Sequence, residues 1–199
     1  MLEAHQISAG FGKTVLFSDV SLKLKRGNIY CVYGPSGCGK TTLGRTLAGL
    51  HAPSRGTITL GNKTAYSKTS WPVHYLYQNP LHAMNPRWNI GKIITESGPV
   101  DHAHAKRLDV RDEWMERYPH ELSGGQLQRV SILRALGAKP EYLIADEITA
   151  ALDPVAQAQI WQLLMHLVKE HNMGILAISH DMDLLKQITP QGNYLNFFV

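Results

Sequence analysis

A glycine-rich stretch near the N-terminus has the residue types and the spacing of a phosphate-binding loop. It comprises Gly34, Pro35, Ser36, Gly37, Cys38, Gly39, Lys40, Thr41 and Thr42. Glycines allow backbone amides to lie close to phosphate oxygens, and the lysine can reach the β- and γ-phosphates of a nucleotide. The hydroxyl of Thr41 is a candidate Mg²⁺ ligand. The stretch therefore predicts a nucleoside triphosphate site, and the alternative is a glycine-rich turn with a chance lysine.

Such a loop needs a strand before it and a helix after it. The apolar run at 29–33 predicts the strand, and Leu43, Leu47 and Leu50 recur on one side of a predicted helix that Thr42 opens. The start of this helix adds positive potential at the loop. Both flanking elements favour phosphate binding over a chance turn.

A second candidate anion site lies at Ser123, Gly124, Gly125 and Gln126. Ser123 can cap a helix whose apolar residues recur at helical spacing, with Gly137 suited to end it in a left-handed conformation. These apolar residues are Leu127, Val130, Leu133 and Leu136. Serine and glycine before a helix are also common structural caps. Beside a phosphate-binding loop, the segment predicts a second anion-seeking helix start.

Titratable residues follow two further apolar runs. Asp146 ends the run that begins at 142, so its carboxylate is expected to emerge beside the loop and hold Mg²⁺, largely through water. Glu147 is expected to point to the other side of that strand, where it could orient or deprotonate the attacking water. His180 follows the run at 175–178 and could contact the γ-phosphate and Glu147. The alternatives are two solvated carboxylates and a structural histidine.

The motifs described above, together with those named below, follow one another along the chain in an order that resembles the ATP-binding-cassette (ABC) family. Residues 122–126 read Leu-Ser-Gly-Gly-Gln, as in the family's signature, and residues 142–147 resemble its Walker B strand. Residues 150–153 resemble its D-loop, and residues 178–181 resemble its switch-histidine segment. The chain departs from the family at Ile148, where proline is usual. The resemblance implies an ATPase that uses ATP and Mg²⁺.

The resemblance also implies roles for single residues. Gln78 is similar to the Q-loop glutamine, which would ligate Mg²⁺ or water, with ordinary loop hydrogen bonding as the alternative. Phe11 has the place of the aromatic residue that stacks on adenine, with an ordinary core aromatic as the alternative. The implied catalytic residues are Glu147, His180 and Gln78, and the implied Mg²⁺ ligands are Thr41, Gln78 and Asp146.

A narrower resemblance points to the peptide/nickel branch of ABC importers. It is carried by residues 78–80, 85–86, 90–96 and 117–122. It implies that ATP hydrolysis powers the import of peptides, nickel or metal chelates through separate membrane subunits. The alternative is a soluble ABC ATPase serving an enzyme complex such as carbon-phosphorus lyase. A weaker alternative is a nucleic-acid-associated ABC protein.

The branch also implies the partners. A second ABC ATPase subunit, identical or paralogous, would meet this one head to tail, with each ATP between one phosphate-binding loop and the opposing residues 123–125. Transmembrane permease subunits would bind near Gln78 and residues 81–121, and an extracytoplasmic solute-binding protein would deliver the cargo. The chain would lie at the cytoplasmic face of the cell membrane as a peripheral subunit.

Composition is consistent with these expectations. The chain has 199 residues, of which 44% are hydrophobic and 18% charged, so one globular domain with a real core is expected over 1–199. The net charge is +4, and the basic residues are scattered, so no nucleic-acid partner is expected. Cys31 and Cys38 fit a reducing cytosol. No apolar run approaches the ~18 residues that cross a bilayer, so any pore would belong to other subunits.

The expected fold class is α/β, a P-loop NTPase of the ABC type. It would have a mixed β core, an antiparallel β edge and a helical subdomain at about 81–136. Short strands are expected near 5–9 and 20–24, and a hairpin at 57–66. Asp153 is expected to cap a helix that has Pro154 at its first position. Residues 195–199 are expected to form a last strand or an apolar end that packs on a partner.

Overall fold

The computed structural model describes residues 1–12, 14–66 and 71–196. The strands are β1 (Leu2–Phe11), β2 (Thr14–Leu24), β3 (Ile29–Tyr33), β4 (Arg55–Leu60), β5 (Lys63–Thr64), β6 (Val73–Leu76), β7 (Tyr142–Asp146), β8 (Gly174–Ile178) and β9 (Tyr194–Asn196). The helices are α1 (Lys40–Leu47), α2 (Ile90–Thr95), α3 (His102–Arg107), α4 (Gly124–Gly137), α5 (Pro154–Glu170) and α6 (Met182–Ile188). Short 3-10 turns lie at Pro80–Ala83, Asp112–Trp114 and Pro119–Glu121.

These elements divide between two compact units. The first unit contains residues 1–75, 141–146 and 167–196, and the second contains residues 76–140 and 147–166. The predicted helical stretch at 81–136 lies in the second unit. Its role as a separate subdomain, and the assignment of 1–199 as one domain, stay predictions.

The first unit contains a sheet with the strand order β6-β7-β8-β3-β9, in which β7 pairs in parallel with β8, and β3 in parallel with both β8 and β9. Residues 142–146 and 174–178 are buried throughout, as expected for strands covered on both faces. Because β3, β7 and β8 run parallel, their carboxyl ends share one edge of the sheet. We call this the carboxyl edge. It brings together the chain segments that follow these three strands.

An antiparallel sheet with the order β2-β1-β4-β5 completes the first unit. The predicted hairpin is confirmed, with Thr59 opposite Thr64 and Leu60 opposite Lys63. The predicted strands near 5–9 and 20–24 were too short. Both extend because Leu2 pairs with Leu24 at one end and Phe11 with Thr14 at the other, which supplies hydrogen bonds that no local pattern reveals.

One tyrosine connects the two sheets of the first unit. The Tyr142 hydroxyl donates to the Leu24 carbonyl (2.9 Å) and accepts from the Leu2 amide (3.2 Å). Its ring lies over Gly174, where a Cβ atom would come within 2.3 Å of the ring atom Cε1. Gly174 therefore leaves the space that the Tyr142 ring occupies.

The helix after the phosphate-binding loop is shorter than predicted. Leu43 and Leu47 are fully buried, as expected, but α1 ends at Leu47 and Leu50 is 54% exposed. Gly49 has a φ of 77°, a left-handed value that interrupts the helix before Leu50 can join its apolar side.

The two long helices begin at the predicted caps. Ser123 precedes α4, and the Asp153 carboxylate accepts from the amides of Val155 and Ala156 (3.0 Å each) at the start of α5. The predicted end of α4 was wrong, because the helix continues through Gly137. The left-handed residue comes at Lys139, with a φ of 50°.

The described part of the last strand overlaps the beginning of the predicted segment. β9 pairs in parallel with β3, placing Leu195 opposite Val32. Residues 197–199 of the predicted strand lie outside the described residues. In the described part of the chain, no helix combines the length and apolar character that crossing a membrane requires.

Candidate nucleotide-binding and catalytic site

The phosphate-binding loop follows β3 at the carboxyl edge. Gly37 and Gly39 have φ values of 82° and 97°, which residues with side chains rarely adopt. A Cβ atom on Gly39 would also lie 3.3 Å from the Phe17 ring. The glycine spacing thus serves the backbone path of the loop as well as access for phosphate oxygens.

Lys40 is fixed inside this loop. Its ammonium donates to the carbonyls of Gly34 and Pro35 at 2.8 Å each and lies 3.9 Å from the Cys38 thiol sulfur. The residue is only 7% exposed. A cation held by neutral carbonyls keeps its full charge available to an anion, because none of these contacts neutralises it. Thr41 is exposed, whereas Thr42 is 6% exposed.

Asp146 ends β7 at the same edge and is 4% exposed. Its Oδ2 atom accepts a hydrogen bond from the Tyr75 hydroxyl on β6. Burial, and then the negative charge of Asp146, raise the pKa of Tyr75 well above its usual value. The phenol therefore stays protonated at neutral pH and acts as a donor to the carboxylate.

Glu147 lies just outside the strand on which the prediction of its side-chain direction rested. Strand alternation was expected to turn its side chain away from that of Asp146, but β7 ends at Asp146 and Glu147 has a φ of 49°. A left-handed residue redirects the chain, so strand alternation does not apply to it. The Glu147 carbonyl then accepts from the Ala150 amide (3.1 Å), which closes a turn.

The structure brings Gln78 and Glu147 together in the second unit. The Gln78 side-chain amide donates to Glu147 Oε2 at 3.0 Å, although the residues are 69 positions apart. The donor thus holds one oxygen of the carboxylate in place. Gln78 is exposed, so it is also accessible to solvent and ligands.

His180 lies two residues beyond β8, in the turn before α6, and is exposed. The turn is fixed on both sides of it, because the Ser179 hydroxyl accepts from the Asp181 amide (3.1 Å). The Asp181 carboxylate in turn accepts from the amides of Asp183 and Leu184 at the start of α6. The histidine is thus presented at the carboxyl edge by an ordered turn.

Phe11 lies at the end of β1 and is 56% exposed, so it is not a core aromatic. Its ring centroid lies 4.8 Å from that of His51. The His51 carbonyl accepts from the Tyr66 hydroxyl at 2.5 Å, which anchors this segment. An exposed aromatic ring supported on one side is a suitable platform for a planar base.

The start of α4 is a capping box. The Ser123 hydroxyl accepts from the Gln126 amide (3.3 Å), and the Gln126 side chain accepts from the Ser123 amide (2.8 Å). Among the described residues, and apart from the chain neighbours of Gly124 and the backbone of α4, no heavy atom lies within 4 Å of a Cβ built on Gly124. A Cβ on Gly125 would meet Leu152 at 3.2 Å. Ser123, Gly125 and Gln126 line an open depression of about 360 Å³.

The comparison with protein families decides the affiliation. The model of the ABC transporter family matches residues 17–150, which is more than half of the chain. The chain belongs to the ABC transporter family. Its resemblance to the cassettes of that family, based on the ordered motifs, is confirmed.

Curated relatives extend this result. A putative oligopeptide transport ATP-binding protein of Bacillus subtilis is 36% identical over 214 residues, which covers 95% of this chain and 65% of that protein. An oligopeptide transport ATP-binding protein of Haemophilus influenzae is 38% identical over 191 residues, covering 86% and 58%. The chain therefore spans 58–65% of the length of these two relatives.

Solved ABC structures share the fold. A dimeric ATP-binding cassette bound to ADP and Pi superimposes with a TM-score of 0.81 at 23% identity, covering 92% of this chain and 90% of that one. A component of an ABC transporter complex of Clostridium perfringens gives a TM-score of 0.78 at 25% identity, covering 94% and 81%. The predicted fold class, an α/β P-loop NTPase of the ABC type with a mixed β core and an antiparallel β edge, is confirmed.

The oxygen atoms of this ABC cassette fit a magnesium ion. Mg²⁺ prefers oxygen ligands and is commonly held by one or two carboxylates together with substrate phosphates. Thr41 and Asp146 offer a hydroxyl and a carboxylate in the first unit, and Gln78 offers an amide oxygen in the second. Within the ranges that the structure describes, no cluster of three or more histidine, cysteine or acidic residues could hold a metal. Thr41 and Asp146 of the first unit are oxygen donors of the kind that Mg²⁺ accepts together with nucleotide phosphates.

Sequence reasoning missed two residues around the cassette's site. Tyr75 contacts Asp146, and His51 supports Phe11. A tyrosine within the apolar strand before Gln78 was a usable signal, because a buried phenol needs a hydrogen-bond partner. His51 had no such signal, since its role is defined by a tertiary neighbour.

Proposed function

We propose that this cassette binds and hydrolyses ATP and thereby powers the import of peptides through separate membrane subunits. The observation that carries the ATPase proposal is the buried Lys40 ammonium, held uncompensated in a glycine loop on the sheet edge where Asp146 also ends its strand. This arrangement supplies a cation for phosphates and a carboxylate for their metal. Peptide as the cargo is supported by the names of the relatives.

Each site residue has a proposed role. Phe11 stacks on adenine, the amides of residues 34–42 surround the phosphates, and Lys40 contacts the β- and γ-phosphates. Asp146, with Thr41 and Gln78, holds Mg²⁺, which when bound neutralises phosphate charge.

Glu147 accepts the proton of the attacking water, and Gln78 orients its carboxylate. The 3.0 Å hydrogen bond between the two side chains supports this pairing, because the amide fixes the orientation of the carboxylate that acts as the base. His180 contacts the γ-phosphate from its ordered turn. Hydrolysis then breaks the bond between the γ-phosphorus and the bridging oxygen.

In this proposal, the start of α4 does not contact the ATP that its own subunit binds. Residues 123–126 bind the γ-phosphate of an ATP that the partner subunit holds, so that two cassettes associate head to tail. The space at Gly124 supports the approach of a phosphate, since no described residue beyond its chain neighbours and the backbone of α4 comes within 4 Å of its Cβ position. The dimeric neighbour supports a pair of cassettes.

The remaining partners complete the proposal. Transmembrane permease subunits form the pore, an extracytoplasmic solute-binding protein delivers peptides, and the cassette lies on the cytoplasmic face of the membrane. The names of the relatives favour peptides over nickel within the predicted branch. They also favour this transporter over a soluble ATPase that serves an enzyme complex.

Affinity purification of the Glu147→Gln protein with ATP, from gently solubilised native cells, tests this assignment. We expect polytopic membrane proteins and a solute-binding protein among the retained components, because blocked hydrolysis preserves the ATP-bound assembly. The matched control is Glu113→Gln, which changes an exposed carboxylate in the second unit. Retention of soluble enzymes alone would contradict the transporter proposal.

A further inference from the structure

A hydrogen-bonded chain of three side chains connects α1, β6 and β7 in the first unit. The Tyr75 hydroxyl donates to Asp146 Oδ2 and is itself hydrogen-bonded by the Arg45 side chain. The order is therefore guanidinium, phenol, carboxylate. Each member lies on a different element, so the chain fixes the carboxylate relative to the loop helix and to the strand that leads to Gln78.

Packing around Gly44 leaves the space for this arrangement. A Cβ atom on Gly44 of α1 would lie 3.2 Å from the Tyr75 ring atom Cε2, 2.8 Å from Ile178 Cδ1 and 3.0 Å from Ile144 Cγ2. Glycine on the buried side of the helix thus allows the tyrosine ring to lie against the helix backbone. The ring is half-buried and Asp146 is 4% exposed, so the phenol takes a place that water would fill at an open carboxylate.

We propose that Tyr75 is a positioning residue that holds the Asp146 carboxylate in the orientation in which it binds the nucleotide's magnesium ion. The inference rests on the proposed function, in which Asp146 is the carboxylate of the Mg²⁺ site. Tyr75 itself touches neither nucleotide nor metal in this assignment. It donates to Oδ2 and thereby fixes the plane in which the carboxylate is presented.

If Tyr75 has this role, removing its hydroxyl should weaken the effect of Mg²⁺ on nucleotide binding and leave metal-free nucleotide binding unchanged. Hydrogen-bond partners of metal-binding groups typically account for a 10- to 100-fold effect on metal affinity or activity when removed. A carboxylate without the phenol gains rotamer freedom and must be reoriented at each binding event. Nucleotide affinity without metal should be unaffected, because the contacts of the loop and of Phe11 do not involve Tyr75.

Tyr75→Phe removes the hydroxyl and keeps the ring, so it tests the proposal directly. Binding of a fluorescent ATP analogue is measured by titration, first in EDTA and then against increasing Mg²⁺. We expect the Mg²⁺ concentration of the half-maximal response to rise about 10-fold, with unchanged affinity in EDTA. Should the phenylalanine variant fail to fold, Tyr75→Met carries the same test, because methionine fits irregular apolar space.

Tyr142→Phe is the matched control. It also removes a buried phenol with two hydrogen bonds in the first unit, but the partners are the backbone atoms of Leu2 and Leu24. A merely structural role of Tyr75 predicts that both variants lower the melting temperature and that neither shifts the Mg²⁺ response. A Mg²⁺ titration of Tyr75→Phe that superimposes on the parent overturns the proposal.

Asp146→Asn separates the two levels of inference. If this variant leaves the Mg²⁺ response unchanged, the proposed metal site itself is wrong. If it shifts the response and Tyr75→Phe does not, only the positioning role is wrong. The double variant should respond like Asp146→Asn alone, because a residue that acts through the carboxylate has no further effect once the carboxylate is gone.

Discussion

Replacing Lys40 by methionine tests the charge at the centre of the phosphate-binding loop. The substitution keeps most of the side-chain volume but removes the ammonium that donates to Gly34 and Pro35. If Lys40 reaches two phosphates, the variant loses at least two charge-assisted hydrogen bonds of about 1.5–3 kcal/mol each. A loss of about 3 kcal/mol corresponds to an affinity for ATP that is about 100-fold weaker.

The protein without nucleotide should be little affected. Gly34 is half-buried and Pro35 is exposed, so water can replace the ammonium at their carbonyls. We expect a decrease of about 1 kcal/mol in the free energy of unfolding, which is the net value of an ordinary hydrogen bond. Each variant is therefore compared with its own nucleotide-free form.

Thermal unfolding with ATP converts the affinity change into a measurable shift. At 100 times the parent dissociation constant, ATP stabilises the parent by about 2.7 kcal/mol, and a 100-fold weaker variant by about 0.4 kcal/mol. For a chain of this size, 1 kcal/mol corresponds to about 2–4 °C. ATP should thus raise the melting temperature of the parent by about 5–11 °C and that of Lys40→Met by less than about 2 °C.

The control is Lys169→Met, which removes an exposed lysine at the end of α5 and changes the net charge equally. It should show the parent shift, because Lys169 is not part of the phosphate-binding loop and the attraction between an exposed lysine and ATP is screened by salt. The reasoning would be refuted if ATP raised the melting temperature of Lys40→Met by an amount that differs from the parent shift by no more than a third. The lysine would then be a structural tie of the loop and not a phosphate contact.

Three further outcomes follow from the site and the core. Glu147→Gln should lower the rate of ATP hydrolysis at least about 100-fold while ATP binding stays within threefold, and Glu113→Gln should retain the parent rate in the same phosphate-release assay. Phe11→Ala should weaken ATP binding about 10-fold with less than about 0.5 kcal/mol change in unfolding free energy, because its ring is exposed; a fluorescence titration that finds equal affinity argues against stacking. Burial raises the pKa of the Cys31 thiol from 9.0 to about 11, so the folded form binds more protons above pH 9 and stability should fall by about 1.4 kcal/mol near pH 10. Cys31→Ser should lack this part of the alkaline loss in urea unfolding measured between pH 7 and pH 10, and equal losses in both proteins would contradict the assignment.

The sequence predicted the features that depend on neighbouring residues. The glycine loop, the caps at Ser123 and Asp153 and the hairpin at Gly61 are all specified within a few positions. The capping box at Ser123 needs only a glutamine three residues later. Such features form locally, so residue types and spacing suffice to place them.

Features that depend on distant partners were not predictable in the same way. Tyr75 meets Asp146 across 71 positions, and Gln78 meets Glu147 across 69. The left-handed conformation of Glu147 costs about 1–2 kcal/mol and is retained only because the surrounding chain imposes it. The lengths of β1 and β2 likewise follow from their pairing and not from their own residues.

The packing of Tyr142 over Gly174 should couple the substitutions that evolution accepts at these two positions. Any side chain at position 174 would displace the ring and with it both hydrogen bonds to the backbone of the antiparallel sheet. A substitution of Gly174 alone therefore makes a clash with the Tyr142 ring, and replacement of Tyr142 alone by a smaller residue leaves an empty space over Gly174. Among descendants of this sequence, the two positions should be replaced as a pair, so that a lineage that loses the tyrosine becomes free to lose the glycine as well.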